Sequence, residues 1–166
     1  MEYPGYLNKT EFEVWRNFIY SQNMKLQIRK NHPDAKLPIR GTEFAAGYDL
    51  YSVTPGSVPA RGRSIVDTGI SVGMSELGNV CGMICSRSGL SVKCGLEKGA
   101  GLIDSDYTGP LRVVLYNHSD VDYVYSKHER IAQLVLVPIL TPELEEVDHL
   151  TETIRGDGGF GSTGLH

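Results

Sequence analysis

From Met24 onward, apolar residues recur at every second position, and turn residues interrupt them at close spacing. That alternation restricts the fold more than any other feature of the chain. A strand points successive side chains to opposite faces, so period two describes strands with one face buried and one in water. Leu26 and Ile28 alternate with Gln27 and Arg29, and Ile70, Val72 and Met74 with Ser71 and Gly73. Leu111, Val113 and Leu115 share one face, and Arg112, Val114 and Tyr116 the other. Val121, Tyr123 and Tyr125 repeat the pattern. Leu134 to Val137 is apolar throughout, which predicts a strand buried on both sides. Pro55-Gly56, Arg61-Gly62, Leu77-Gly78-Asn79, Asn117-His118-Ser119-Asp120 and Thr141-Pro142 supply the turns. Many short strands without helices between them predict an all-β sandwich or closed barrel.

Two segments fall outside this texture. Thr10 followed by Glu13 fits a capping box, and Phe12, Trp15, Phe18 and Ile19 then form an apolar stripe. These residues predict a helix from about Glu11 to Ser21, whose stripe packs on the domain, on a neighbouring chain or on a protein partner. At the other end, Arg155 to His166 contains five glycines. Holding such a tail rigid is entropically costly, so it is expected to order when something binds it. The expected organisation is an N-terminal extension over 1–23, a β domain over 24–154 and a glycine-rich tail over 155–166.

The net charge of −4 does not attract polyanions through the overall field, so any phosphate site must be local. No long basic run is present, which argues against generic nucleic-acid binding. Cys81, Cys85 and Cys94 are an odd number of thiols, which argues against a disulfide framework. Cys81, Met83 and Cys85 share a strand face and are expected to be buried. No histidine completes a zinc pattern with them. The longest apolar run, Ile131 to Leu140, is interrupted by Gln133 and Pro138 and is too short to span a membrane. Met1 to Tyr6 lacks an export pattern, so a soluble, intracellular protein is expected.

Several short segments could carry chemistry. Gly156, Gly158 and Gly161 formally match a dinucleotide fingerprint, but the five residues after Gly161 leave no room for the required helix. No lysine precedes Ser162 or Thr163, so the tail is not a Walker loop either. Its glycines can still converge backbone amides on an anion. Arg155, Ser162 and Thr163 add polar donors to these, and Phe160 a ring that can stack. Gly101-Leu102-Ile103-Asp104-Ser105-Asp106-Tyr107-Thr108-Gly109 reads as a turn. If it were extended, Asp104 and Asp106 would share a face and could hold a metal or activate water. Ser86-Arg87-Ser88-Gly89-Leu90 follows a strand and can cradle phosphate through guanidinium, hydroxyl and amide. Asp49 lies in an otherwise apolar strand and needs partners there. Gln133 interrupts the last apolar strand and calls for a specific partner.

Together and in order, the segments AGYDLYS, SRSGL, GLIDSDYTG, ERIAQ and RGDGGFGSTG resemble the motifs of the trimeric dUTPases. The resemblance covers roughly Met24 to Gly164. It implies a jelly-roll-like β-barrel, assembled as a homotrimer with active sites at subunit interfaces, that cleaves dUTP to dUMP and pyrophosphate with Mg²⁺. On this resemblance Asp104 activates the attacking water, and Tyr107 packs under the deoxyribose. The hairpin through Gly99, Gly101 and Leu102 forms the uracil pocket. Arg87, Ser88, Gly89 and Gln133 hold phosphates, and Asp49 approaches the metal through water. In the tail, Arg155, Gly161, Ser162 and Thr163 hold the γ-phosphate while Phe160 covers the base.

Two other readings compete. dCTP deaminase shares the fold, but its catalytic glutamate would fall at about Val114, which cannot move protons. A non-catalytic signalling protein on the same fold is the other, since a fold does not guarantee its function. The intact set of Asp104, Tyr107, Ser88 and Gln133 favours the hydrolase.

Overall fold

A computed structural model describes Asn8, Thr10, Glu13, Val14 and residues 24–159. Thr10, Glu13 and Val14 are helical, and the rest of the predicted N-terminal helix lies outside the described residues.

The alternating segments form ten strands: β1 (Gln27–Lys30), β2 (Tyr48–Tyr51), β3 (Gly56–Val58), β4 (Arg63–Gly73), β5 (Val80–Cys85), β6 (Leu96–Gly99), β7 (Leu102–Ile103), β8 (Pro110–Asn117), β9 (Tyr123–Tyr125) and β10 (Arg130–Pro138). One short helix, α1 (Ser88–Cys94), joins β5 to β6. It ends at Gly95, which adopts the left-handed conformation at φ 65° and returns its N–H to Ser91 O at 3.0 Å.

The strands make two four-stranded sheets, ordered β1-β4-β8-β6 and β2-β10-β5-β7, and a two-stranded ribbon β3-β9. The jelly-roll-like all-β architecture therefore holds. Hydrogen bonding runs through three separate sheets rather than around one closed barrel. Leu50, Ile84, Ile131 and Leu134 from one sheet meet Val66, Ile70, Leu111, Val113 and Leu115 from the other in a single core. The inward side of β8 is Leu111, Val113, Leu115 and Asn117, as its alternation predicts.

β4 serves two partners. Its first half pairs with β8 from Arg63↔Tyr116 to Asp67↔Arg112, and its second half pairs with β1. The register breaks between Asp67 and Ser71. There Gly69 sits at φ 68° and donates to Asp67 Oδ1 at 2.8 Å, a conformation that suits glycine.

Two expectations need correction. Val135, Leu136 and Val137 of β10 are half-buried in a single chain, not enclosed on both sides. The shared face of Cys81, Met83 and Cys85 points away from the core. Gly82 and Ile84 pack inward instead; the expected burial holds at Cys81, while Met83 is exposed and Cys85 half-buried. Among the described residues no helix is long and apolar enough to cross a membrane.

Candidate active site

β10 organises the residues expected to bind phosphate. It lies between β2 and β5, with Gln133 opposite Asp49 on one side and Cys85 on the other. This register places the segment around Asp49, the turn after β5 and Gln133 side by side. They line a cavity of about 240 Å³ with Gly47, Arg87, Ser88 and Gly89 on its wall.

Asp49 is the electrostatic centre of that cavity. Its side chain is 13 % exposed, and each oxygen faces a guanidinium: Oδ1 lies 3.2 Å from Arg87 Nε and Oδ2 lies 3.1 Å from Arg130 Nη1. Arg87 Nη1 also donates to Arg130 O at 2.9 Å. One carboxylate thus aligns two cations whose remaining N–H groups can meet an anion. Gln133 Nε2 donates to Ser86 O at 3.0 Å. Gly47 is buried against the same side chain, and a Cβ there would collide with Gln133.

Asp104 and Tyr107 occupy another place. A cavity of about 350 Å³ is lined by Leu102, Ile103, Asp104, Tyr107, Pro110, Leu111 and Arg112. The 104–107 segment is a turn, closed by Tyr107 N–H to Asp104 O at 3.1 Å. The turn reading therefore holds, and the extended alternative, with Asp104 and Asp106 on one face, does not. The turn leaves both carboxylates exposed, and no group of three metal-binding side chains forms among the described residues. Tyr107 donates its hydroxyl to Pro110 O at 3.0 Å, and its ring packs where a Cβ on Gly109 would stand. Gly109 is thus the space that lets the phenol lie flat.

The hairpin before Asp104 is the point at which the chain changes sheets. β6 pairs with β8, and β7 pairs with β5. Between them Ala100 and Gly101 both take positive φ, 54° and 114°. Gly101 is buried and accepts Ile84 N–H at 2.8 Å, while Lys98 Nζ donates to Ala100 O at 2.9 Å. Gly99 lies against Tyr116, where any Cβ would strike the ring. The carbonyls of Ala100 and Gly101 are thus both engaged within the chain, and the Lys98 side chain lies against the crossing.

Beside it, Glu97 accepts the hydroxyl of Ser86 at 2.6 Å and that of Ser91. Those two hydroxyls, the Ser86 bond first, hold its carboxyl below the usual carboxylate range against partial desolvation. Sequence reading missed Gly47, Glu97 and Tyr116. The one available signal was an acid, Glu97, at the start of a strand.

The two cavities share no lining residue. Ser88 and Gly89 are exposed in the first, and Tyr107 and Leu102 are exposed in the second. Arg155 donates Nε to its neighbour Gly158 O at 2.8 Å. Phe160, Gly161, Ser162 and Thr163 lie outside the described residues.

A family model described as dUTPase matches residues 33–164. A deoxyuridine 5'-triphosphate nucleotidohydrolase of Arabidopsis thaliana is 47 % identical over 139 residues, covering 84 % of this chain and 82 % of the relative. That of Paramecium bursaria Chlorella virus 1 is 49 % identical over 140 residues, covering 84 % and 98 %. Among solved structures, the dUTPase of Staphylococcus bacteriophage 80alpha with dUpNHpp superposes with a TM-score of 0.79 at 31 % identity, covering 85 % of this chain and 99 % of that one. The dUTPase of phage phi11 of S. aureus, whose structure coordinates a structural Mg(II) ion, superposes at 0.70 with 28 % identity, covering 76 % and 98 %. The cavity around Asp49, the turn bearing Asp104 and these likenesses lead to one conclusion: the chain belongs to the dUTPase family.

Proposed function

We propose that the protein hydrolyses dUTP to dUMP and pyrophosphate, with water attacking the α-phosphorus. The observation that carries this reading is the pairing of a cavity in which Asp49 aligns Arg87 and Arg130 with an exposed aspartate beside a glycine crossing. Arg87, Ser88, Gly89 and Gln133 bind the phosphate chain, and Asp49 keeps Arg87 and Arg130 aimed at it. The backbone of Gly99 to Leu102 recognises uracil, and the Tyr107 ring supports the deoxyribose. Asp104 takes a proton from the water as its oxygen bonds to the α-phosphorus. The bond from that phosphorus to the bridging oxygen breaks, and pyrophosphate leaves with the electron pair.

The donor set fits a cation that arrives on phosphate oxygens, because no protein cage forms among the described residues and Asp49 retains lone pairs for a bridging water. Asp49 would hold Mg²⁺ through water, and the ion would supply charge neutralisation to the triphosphate.

The separation of the two cavities supports a shared site, in which Asp104 of one copy faces the Asp49 cavity of another in a homotrimer. Exposed apolar residues of the extended segment after β10, Leu140, Leu144, Leu150 and Ile154, support burial against other copies. The tail through Arg155, Phe160, Gly161, Ser162 and Thr163 then closes over the γ-phosphate and the base. A deaminase reading is not favoured, because Val114 on β8 offers only hydrocarbon where an acid would be needed.

Pyrophosphate release from dUTP, dCTP, dTTP and UTP with Mg²⁺ tests the reading directly. Release is expected from dUTP alone, and Asp104→Asn should slow it by about 10²- to 10⁴-fold, the usual worth of a general base. Ammonia from dCTP, or equal rates for the wild type and Asp104→Asn, would sink it.

A further inference from the structure

A continuous chain of hydrogen bonds runs between the phosphate cavity and the glycine crossing, through residues that line neither cavity. Gln133 Nε2 donates to Ser86 O at 3.0 Å. The Ser86 hydroxyl donates to Glu97 Oε2 at 2.6 Å and accepts Lys98 N–H at 2.9 Å. Ser91, in α1, gives its hydroxyl to the other oxygen of Glu97. Lys98 Nζ then reaches Ala100 O at 2.9 Å. Ser86 immediately precedes the phosphate turn Arg87-Ser88-Gly89, and Glu97 lies just before the crossing Gly99-Ala100-Gly101.

A carboxylate holding two hydroxyls is a stronger tie than neutral partners provide. The Lys98 amide is committed to a side chain on another element, so the entrance to the crossing moves with the phosphate turn. Loss of Ser86 Oγ removes both bonds of the tie, and loss of the Glu97 carboxylate removes the charged partner that orients that hydroxyl, leaving only the Lys98 amide on it.

We propose that Ser86 and Glu97 are positioning residues that lock the phosphate turn to the uracil-recognising crossing, so that one pair sets both phosphate affinity and base selection. The inference rests on the roles given to those two segments under Proposed function. In a trimer with shared sites, the turn and the crossing of one chain face different active sites, so the pair keeps neighbouring sites in mutual alignment. Neither residue touches substrate.

Steady-state hydrolysis of dUTP and dCTP by Ser86→Ala, Glu97→Ala and the double variant tests the idea. Each single change should raise KM for dUTP by about tenfold and lower the preference for dUTP over dCTP by a similar factor, as expected for losing a hydrogen bond to a charged group. Glu97→Gln, which keeps the shape but not the charge, should fall between. The double variant should be no worse than the stronger single one, because the two act as a unit. An unchanged KM and preference, a change in only one of them, or multiplicative losses would overturn the proposal. Should Glu97→Ala fail to fold, Ser86→Ala decides.

Amide exchange of the free protein keeps this separate from the substrate assignment. The Lys98 amide should exchange about tenfold faster in Ser86→Ala, with β8 amides unchanged. Unchanged Lys98 exchange would sink the positional tie whatever the substrate proves to be. A wild type inert toward dUTP would sink Proposed function and leave the exchange result to judge the tie.

Discussion

Gly47 contributes no side chain, yet its bareness holds Gln133 in place. A methyl group there would strike the Gln133 side chain, which lines the Asp49 cavity and donates its amide to Ser86 O. Gly47→Ala is therefore expected to raise KM for dUTP by roughly tenfold while the melting temperature falls little, since the amide can swing outward. Melting that collapses with unchanged KM would mean the glycine serves packing alone. Glu97 makes a prediction about acid. Its folded carboxyl titrates below the ordinary value because Ser86 and Ser91 donate to the ionised form. The stability it contributes is complete above the unfolded pKa of about 4.3 and is lost as pH falls through the lower folded value. Urea midpoints from pH 6 down to pH 3 should thus fall more steeply for wild type than for Glu97→Gln. Parallel curves would show that the carboxylate is not tied. Asp104, Arg87 and Tyr107 could be proposed from sequence because their chemistry resides in the side chain and the neighbours that frame it are adjacent. Gly47 and Glu97 were not, because their partners come from other strands and only the register reveals them.

Strands set that register, and alternation made most of them readable before any coordinate. β8 carries its core face and its outer face where period two puts them. What alternation could not supply was which strand lies beside which. Gln133 finds Asp49 and Arg87 nearby only because β10 inserts between β2 and β5. The paired-aspartate alternative failed for the converse reason, since a turn removes the two-residue period that put Asp104 and Asp106 on one face. Turns also carry stability. Asn117 ends β8 and is 2 % exposed. Its amide donates to Val58 O at 3.1 Å and Val121 O at 2.8 Å, and its oxygen accepts Ser119 N–H at 2.9 Å. One side chain therefore ties β8, β3 and the turn before β9. Asn117→Ala leaves those backbone groups unpaired, and about 2–4 kcal/mol of stability should go with them. Urea denaturation at fixed protein concentration measures it; a loss below about 0.5 kcal/mol, the scale of an inert surface change, would show that water replaces the amide.

At the scale of the whole molecule, the chain's division of labour is the fact to explain. It gathers cations and amides around Asp49, gathers Asp104, Tyr107 and the glycine crossing elsewhere, and leaves apolar residues such as Leu144 and Leu150 exposed beyond β10. A single copy that worked alone would have little reason to keep the proposed base and the proposed phosphate ligands in cavities with no common wall. If the working site is built across copies, two dead proteins can repair each other. Asp104→Asn retains the phosphate cavity, and the double variant Arg87→Ala/Gln133→Ala, which strips two proposed phosphate ligands, retains the aspartate turn. Co-expressed in equal amounts, they should form mixed trimers in which about a quarter of the sites draw both intact parts from different chains. Activity near that fraction of wild type is expected from the mixture, against almost none from either variant alone. Purified variants combined without subunit exchange should stay dead, which assigns the recovery to mixed assembly and not to contaminating wild type. A mixture as inactive as its parents would place Asp104 with Arg87 and Gln133 in the same site of the same chain, and the separation of the two cavities would then have to be closed by movement within one copy.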